Sequence, residues 1–335
     1  MARKKIVFLN LFILLFFTLS LWADVVMSYR GKAYAKSGHS TKWHKVKIKE
    51  ILKPGDMVMT KAKSKLTLSI LDSGGIITIQ ENSKLLITQQ VIKKNTVPKF
   101  LLFLGKLKGK ISKKQSNQID FDTPTAVAGI RGTIFDIAVA DEGTAKIGVT
   151  RGEVAVSGLN QSVSLGPNES SVVPFAGDPQ DKIAYSENEN LSQWQTDIAK
   201  EISGNEMAIL ARVESVLENN YQKIDKLDAE NSANLKEIEK LKLKRKNLNE
   251  DEQKTEGKKI GAEITQIIGK RSRIIVASYN LDYRNQSIFE IAERIFKKNK
   301  TNKDIKTKYN QIKVKYAFYH AKFVKTPKKK GCLFF

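Results

Sequence analysis

The chain has 335 residues and is strongly basic, with 58 lysines and arginines against 35 aspartates and glutamates and a formal net charge of +23 at pH 7. Such a charge balance favours polyanionic neighbours. A single cysteine, Cys332, excludes a disulfide framework within one chain. The three histidines (His39, His44 and His320) have no ligand spacing for structural zinc, so neither a metal site nor a cofactor is predicted.

The first predicted element is an export signal over residues 1–23. Arg3, Lys4 and Lys5 precede an apolar run that ends at Ala23, the pattern of a secretory signal peptide. An uncleaved membrane anchor stays open, because an apolar run of about 18 residues is near the lower limit for spanning a bilayer. In either case the remaining chain is exported, to the periplasm or the outer envelope, or held at the inner membrane. The expected polyanions there are acidic wall polymers or anionic lipid rather than nucleic acid.

Residues 24–175 show the pattern of an all-β domain. Apolar residues come in short runs punctuated by glycine, proline and asparagine, and the segment from Lys65 to Ile70 alternates with period two. About ten strands at this spacing favour a β-sandwich or roll.

Residues 191–300 follow a linker at 176–190 and have helical periodicity. A capping box of Ser192 and Gln195 predicts the helix start. Apolar residues then recur at spacings of three and four on both sides of a polar turn near residues 247–257. The pattern predicts an antiparallel helical hairpin, with a parallel dimeric coiled coil as the alternative and homo-oligomerisation left open. The fold class is therefore α+β in separate domains.

Residues 301–335 are predicted to form a basic amphipathic helix and a solvated tail. Tyr309, Ile312, Tyr316, Tyr319 and Phe323 form an aromatic seam on one face. Two interpretations stay open: the seam packs onto the hairpin, or the helix lies on an anionic surface. The candidate surface-binding residues are Lys306, Lys313, Lys315 and Lys322. Near Cys332 the tail matches a prenylation pattern, which conflicts with export and is not adopted.

The most specific motif is TPTAVAGIRGT at residues 123–133, followed by an aromatic residue. Together with the preceding LKPGD and the later VTRGEVAV segments, it resembles the FecR family domain over roughly residues 28–160. The resemblance implies an exported, all-β, jelly-roll-like domain. The family's regulators carry a cytoplasmic region that handles a sigma factor. Only five residues precede the apolar run here, so that regulatory role is not expected to carry over.

The motif itself is expected to specify a strand crossing or a partner contact. Gly132 can bulge the strand, and Arg131 is expected to pair with Asp122 or Asp136. The motif residues singled out are Thr123, Pro124, Gly129, Arg131, Gly132 and Thr133.

No catalytic residues are predicted, because the segment from Gly105 to Lys110 has the wrong spacing for a phosphate loop and no nucleophile–base pair stands out. The predicted function is a non-enzymatic binding or scaffolding protein of a bacterial envelope. Its β domain would bind an envelope protein or glycan, and its basic end an anionic lipid or wall polymer. The alternative is a membrane-anchored envelope-signalling component of the FecR regulator type.

Overall fold

The computed structural model describes residues 24–38, 40–70, 74–92, 95–112 and 118–329, with side chains described as far as Phe323. The predicted signal segment, His39, and Cys332 with its tail lie outside the described residues. No helix in the described part is long and apolar enough to cross a membrane.

The N-terminal region is all-β, and the described residues form more strands than the sequence predicted. The fifteen strands are β1 Asp24–Arg30, β2 Ala33–Lys36, β3 His44–Lys45, β4 Ile51–Leu52, β5 Met57–Thr60, β6 Lys65–Ile70, β7 Gly75–Ile79, β8 Lys84–Ile92, β9 Asn95–Lys110, β10 Ile119–Asp122, β11 Val127–Val139, β12 Ala145–Ser157, β13 Ser162–Leu165, β14 Glu169–Val173 and β15 Ile183–Ala184. The shortest strands have two residues, too few to show a period in the sequence.

The strands belong to one hydrogen-bonded network in the order β15-β14-β12-β11-β10-β9-β7-β6-β1-β4. A second path runs from β9 through β8 and β5 to β2 and β3, while β13 adds to β12. Most pairs are antiparallel, but β10 pairs with β9 in parallel. The alternating residues of these strands fill one core. In it Phe121 stacks on Phe100 at 4.9 Å and meets Phe135 edge-on at 5.0 Å, both between ring centroids.

Four helices follow among the described residues: α1 Leu191–Glu201, α2 Glu206–Lys246, α3 Glu250–Lys298 and α4 Lys303–Lys329. The turn between α2 and α3 is short, and Asn249 begins α3 with a capping box to Glu252. Asn220 donates to Asn285 at 2.8 Å, and Lys244 pairs with Glu256 at 2.7 Å. From the first of these pairs to the second, the residue number rises along α2 and falls along α3. The α2–α3 pair is therefore an antiparallel hairpin, and the predicted α+β class with a long helical hairpin is confirmed.

Helix α4 packs on both arms of the hairpin through the predicted aromatic seam. Tyr319 stacks on Tyr221 at 4.3 Å, and Tyr316 stacks on Phe289 at 4.2 Å, between ring centroids. Burying these rings against the hairpin is favourable because it removes large apolar areas from water. The seam therefore faces inward, and the lysines around it face the hairpin edge or the solvent.

Candidate functional site

The FecR-like motif begins in a tight turn that leads into β11. Thr123 is buried, and its hydroxyl accepts a hydrogen bond from Ala126 N at 2.8 Å. The hydroxyl of Thr125 donates to Pro174 O at 2.8 Å. Buried hydroxyls need such partners, so these threonines fix the turn and tie it to the end of β14.

The two glycines of the motif have different structural roles. Gly132 has a φ of 68°, and the β11–β12 register shifts between Arg131 and Ile134. Glycine is favoured at such a strand bulge because it adopts this left-handed conformation without steric strain. At Gly129 an added Cβ would lie 2.3 Å from the amide nitrogen of Gln118, a flexible side chain that could move. Gly132 is thus the more strictly required of the two.

The predicted partners of Arg131 were wrong. Arg131 is exposed and lies opposite Glu153 in the register. Asp122 lies opposite Val127 in the pairing of β10 with β11. Val127 comes four residues before Arg131, a distance of roughly 13 Å along an extended strand. Asp122 instead pairs with Lys99 at 2.9 Å, and Asp136 accepts a hydrogen bond from the hydroxyl of Tyr185 at 2.7 Å. Thr133, the last motif residue, is fully buried.

The start of the motif is covered by α3. Arg284 donates from Nε to Pro124 O at 3.3 Å, and its charge lies beside Asp122. Burial raises the pKa of Asp122, an effect that Lys99 and Arg284 oppose. Burial likewise lowers the pKa of Arg284, and Asp122 opposes that shift. The first residues of the motif therefore serve as a docking point for the helical hairpin.

An open cleft of about 680 Å³ lies beside this docking point, between the sheet and the hairpin. The residues that line the cleft are Gln90, Val91, Lys99, Asp122 and Val127 from the sheet, Lys223, Lys226, Leu227 and Glu230 from α2, and Arg273, Val276, Ala277, Asn280, Leu281 and Arg284 from α3. We call it the interface cleft. Asn280 links α3 to the sheet at this cleft, because Nδ2 of Asn280 donates a hydrogen bond to Gln89 O at 2.9 Å.

The walls of the interface cleft carry five cationic side chains and two carboxylates. Each carboxylate already has a lysine partner: Asp122 pairs with Lys99 at 2.9 Å, and Glu230 pairs with Lys270 at 2.9 Å. Two buried polar atoms on the walls have no hydrogen-bond partner, Nε2 of Gln90 and Oδ1 of Asp122. The cleft thus combines a positive charge excess with an unpartnered donor and an unpartnered acceptor.

The interface cleft was not predicted, because its walls join residues about 100 to 190 positions apart in the chain. On α2, Lys223, Lys226 and Glu230 recur at helical spacing, which shows that they share a face. That spacing is the one local signal of the cleft, and it does not reveal the sheet opposite.

The four lysines singled out on α4 lie on two sides of the helix and differ in their partners. Lys315 bonds Glu214 at 2.5 Å and Glu218 at 2.6 Å, and Lys322 bonds Asp225 at 2.6 Å. These ion pairs join α4 to α2. Lys306 and Lys313 are exposed on the other side of the seam.

The described residues contain no group of three or more histidine, cysteine, aspartate or glutamate side chains placed to hold a metal ion. His320 instead bonds Asp282 through Nδ1 at 3.2 Å, and His44 bonds Glu50 through Nε2 at 2.6 Å.

Comparison with known proteins finds a match for the central part of the sheet and for the motif. A family model described as FecR protein matches residues 56–155, which run from the start of β5 into β12 and include the whole motif. The chain contains a FecR domain. The predicted resemblance is confirmed, and the FecR domain supplies the sheet walls of the interface cleft.

Two crystal structures of a candidate anti-sigma factor from Parabacteroides distasonis are also similar. The structure at 2.50 Å resolution has 14% sequence identity and a TM-score of 0.34, covering 39% of this chain and 60% of that one. The structure at 1.65 Å resolution has 14% identity and a TM-score of 0.33, covering 41% of this chain and 63% of that one. The chain thus spans about three fifths of the length of these neighbours. A comparison with curated proteins finds no match.

Proposed function

We propose that the protein is a non-enzymatic binding and scaffolding protein of a bacterial envelope, attached to an anionic lipid surface through α4. The FecR domain and the signal-like segment at residues 1–23 support an envelope location. In this proposal the β domain receives an envelope protein or glycan.

One observation carries the attachment: α4 has a second apolar face, opposite its seam. Val314 is 70% exposed and Phe318 is 67% exposed. They lie one helical turn apart, so they share a face, while the buried seam occupies the other side. Exposed Lys306 and Lys313 lie along one edge of this face, and Lys315 and Lys322, whose ammonium groups pair with acids of α2, lie along the other. Apolar residues between two rows of lysines are typical of a helix at the surface of an anionic membrane.

Vesicle co-sedimentation of the full chain tests the attachment. We expect binding to vesicles of phosphatidylglycerol and phosphatidylcholine but not to phosphatidylcholine alone, with release by salt. Phe318→Ser should weaken binding several-fold. Leu243→Ser, at a 61% exposed position on α2, is the matched control and should bind as the parent does. Equal binding to both vesicle types, or unchanged binding of Phe318→Ser, would overturn the attachment. Binding to isolated wall polymer but not to vesicles would assign the attachment to the polymer instead of the lipid.

Fractionation of the native organism with N-terminal sequencing tests the location. A start at Asp24 in a salt-released envelope fraction supports the scaffolding role. A start at Met1 or Ala2 in the detergent fraction would favour the second candidate, a membrane-anchored signalling component, which the FecR domain itself suggests.

A further inference from the structure

We propose that the interface cleft binds an acidic oligosaccharide. The proposal deepens the binding role proposed above and rests on it, because it names a ligand class for the FecR domain and its docked hairpin.

The first argument is the charge that the cleft keeps uncompensated. Its two carboxylates already have lysine partners. Lys223 and Lys226 are exposed and have no ion-pair partner among the described residues. Among the described residues, Arg284 donates to Pro124 O through Nε, and its two terminal amino groups have no hydrogen-bond acceptor there, which leaves them to a ligand. Cations grouped in this way favour an anionic ligand.

The second argument is the unpartnered pair of polar atoms. Nε2 of Gln90 needs an acceptor, and Oδ1 of Asp122 needs a donor while it is ionised. A buried polar atom without a partner is destabilising, so a ligand that supplies both groups gains affinity. A sugar hydroxyl both donates and accepts, and a carboxylate alone only accepts.

The third argument is the shape and lining of the cleft. Val91, Val127, Leu227 and Val276 give its walls an apolar part, against which the C–H faces of sugar rings can pack. A volume of about 680 Å³ is in the range of ligand sites, and the cleft is open to solvent. An open, partly apolar, cationic cleft suits a segment of an acidic polysaccharide. An acidic peptide has the charge but offers few donors beyond its backbone.

Calorimetric titration of the full chain with a trimer of galacturonate tests the proposal, with maltotriose and triglutamate for comparison. We expect the uronate trimer to bind, maltotriose not to bind, and triglutamate to bind more weakly. The double variant Lys223→Gln, Lys226→Gln should weaken the uronate by about tenfold or more, because each lysine would bond a carboxylate. The matched control is Lys258→Gln, Lys259→Gln, which removes the same charge from exposed positions near the start of α3. Gln90→Ala should also weaken uronate binding, although it changes no charge.

Three results would overturn the proposal: no uronate binding, an equal loss in both double variants, or tighter binding of triglutamate. The last result would assign the cleft to an acidic peptide instead. Vesicle binding through α4 is measured separately, so failure of one proposal is distinguishable from failure of the other.

Discussion

Single glycines decide how closely neighbouring strands and side chains approach in the FecR domain. Gly109 in β9 lies opposite Phe135 in β11, and the Phe135 ring covers it. A Cβ built at Gly109 would lie 2.2 Å from the ring carbon Cζ. Phe135 is fully buried against Phe121, so the ring has no space to move aside.

We therefore expect Gly109→Ala to lower the free energy of unfolding by about 1–3 kcal/mol, through overpacking. Gly269→Ala in α3 is the matched control, because nothing lies within 4 Å of its added Cβ. That change should raise the free energy of unfolding by about 0.5–1 kcal/mol, since alanine favours a helix over glycine. Urea denaturation measures both, and changes of equal sign would contradict the packing argument.

The residues of the candidate site show where sequence reasoning stops. The bulge at Gly132 follows from local chemistry, and its φ of 68° agrees with that expectation. The sequence did not predict the partner of Asp122, because Lys99 reaches Asp122 through the parallel pairing of β9 with β10. Non-local strand pairing is not encoded in the spacing of a single motif.

At the scale of elements, the helices were predictable and their contacts with the sheet were not. Leu191 begins α1, but Asn190 caps it by accepting from Gln193 N at 3.1 Å. Gln195, predicted to belong to a capping box, instead donates to Val139 O in β11 at 2.6 Å. A carbonyl oxygen of the sheet thus replaces the predicted local partner.

The α3–α4 contact contains a pair whose strength depends on pH. His320 of α4 bonds the buried carboxylate of Asp282 in α3 at 3.2 Å. This hydrogen bond, more than the attraction between the charges, raises the pKa of His320, although burial opposes the shift. Protonated His320 therefore stabilises the folded state fully below its unfolded pKa of about 6.5, and this stability is lost as pH rises through the raised folded value.

We expect the melting temperature of the chain to fall as pH rises from about 6 to about 8, with part of this slope due to His320. His320→Gln should remove that part. Asp282→Asn should remove it too, because the neutral amide no longer favours imidazolium. Thermal denaturation across this range is the measurement. A slope that both variants keep would show that other groups cause it.

At the scale of the whole molecule, the FecR domain and the hairpin share a polar and apolar interface. Arg294 of α3 is half-buried, and it donates from Nε to Asp141 O at 2.8 Å. Lys298 bonds the carboxylate of Asp141 at 2.5 Å, and Lys84 of β8 pairs with Glu290 at 2.5 Å. Phe175, after β14, belongs to the same apolar cluster as Ile291 in α3.

Because of this interface, we expect the chain to unfold in one calorimetric transition. Arg294→Met should lower the free energy of unfolding by about 2–3 kcal/mol, since Asp141 O loses a charged donor and the nearby carboxylates lose a positive neighbour. It should also separate the transitions of the two regions. Arg212→Met, at an exposed position on α2, is the matched control and should change neither property. Two transitions in the parent chain would contradict the shared interface.

The length of the hairpin has a mechanical consequence. From Arg273, at the edge of the interface cleft, α3 runs back to its start at Glu250 for about 35 Å. That outer part is stabilised by its own apolar cluster, which contains Ile238, Leu241, Ile260 and Ile264. Asn280, Arg284, Arg294 and Lys298, all in the second half of α3, donate hydrogen bonds to the β region. The outer hairpin is thus a lever arm with its pivot beside the cleft, and a sideways pull on its tip is transmitted to the cleft walls as torque.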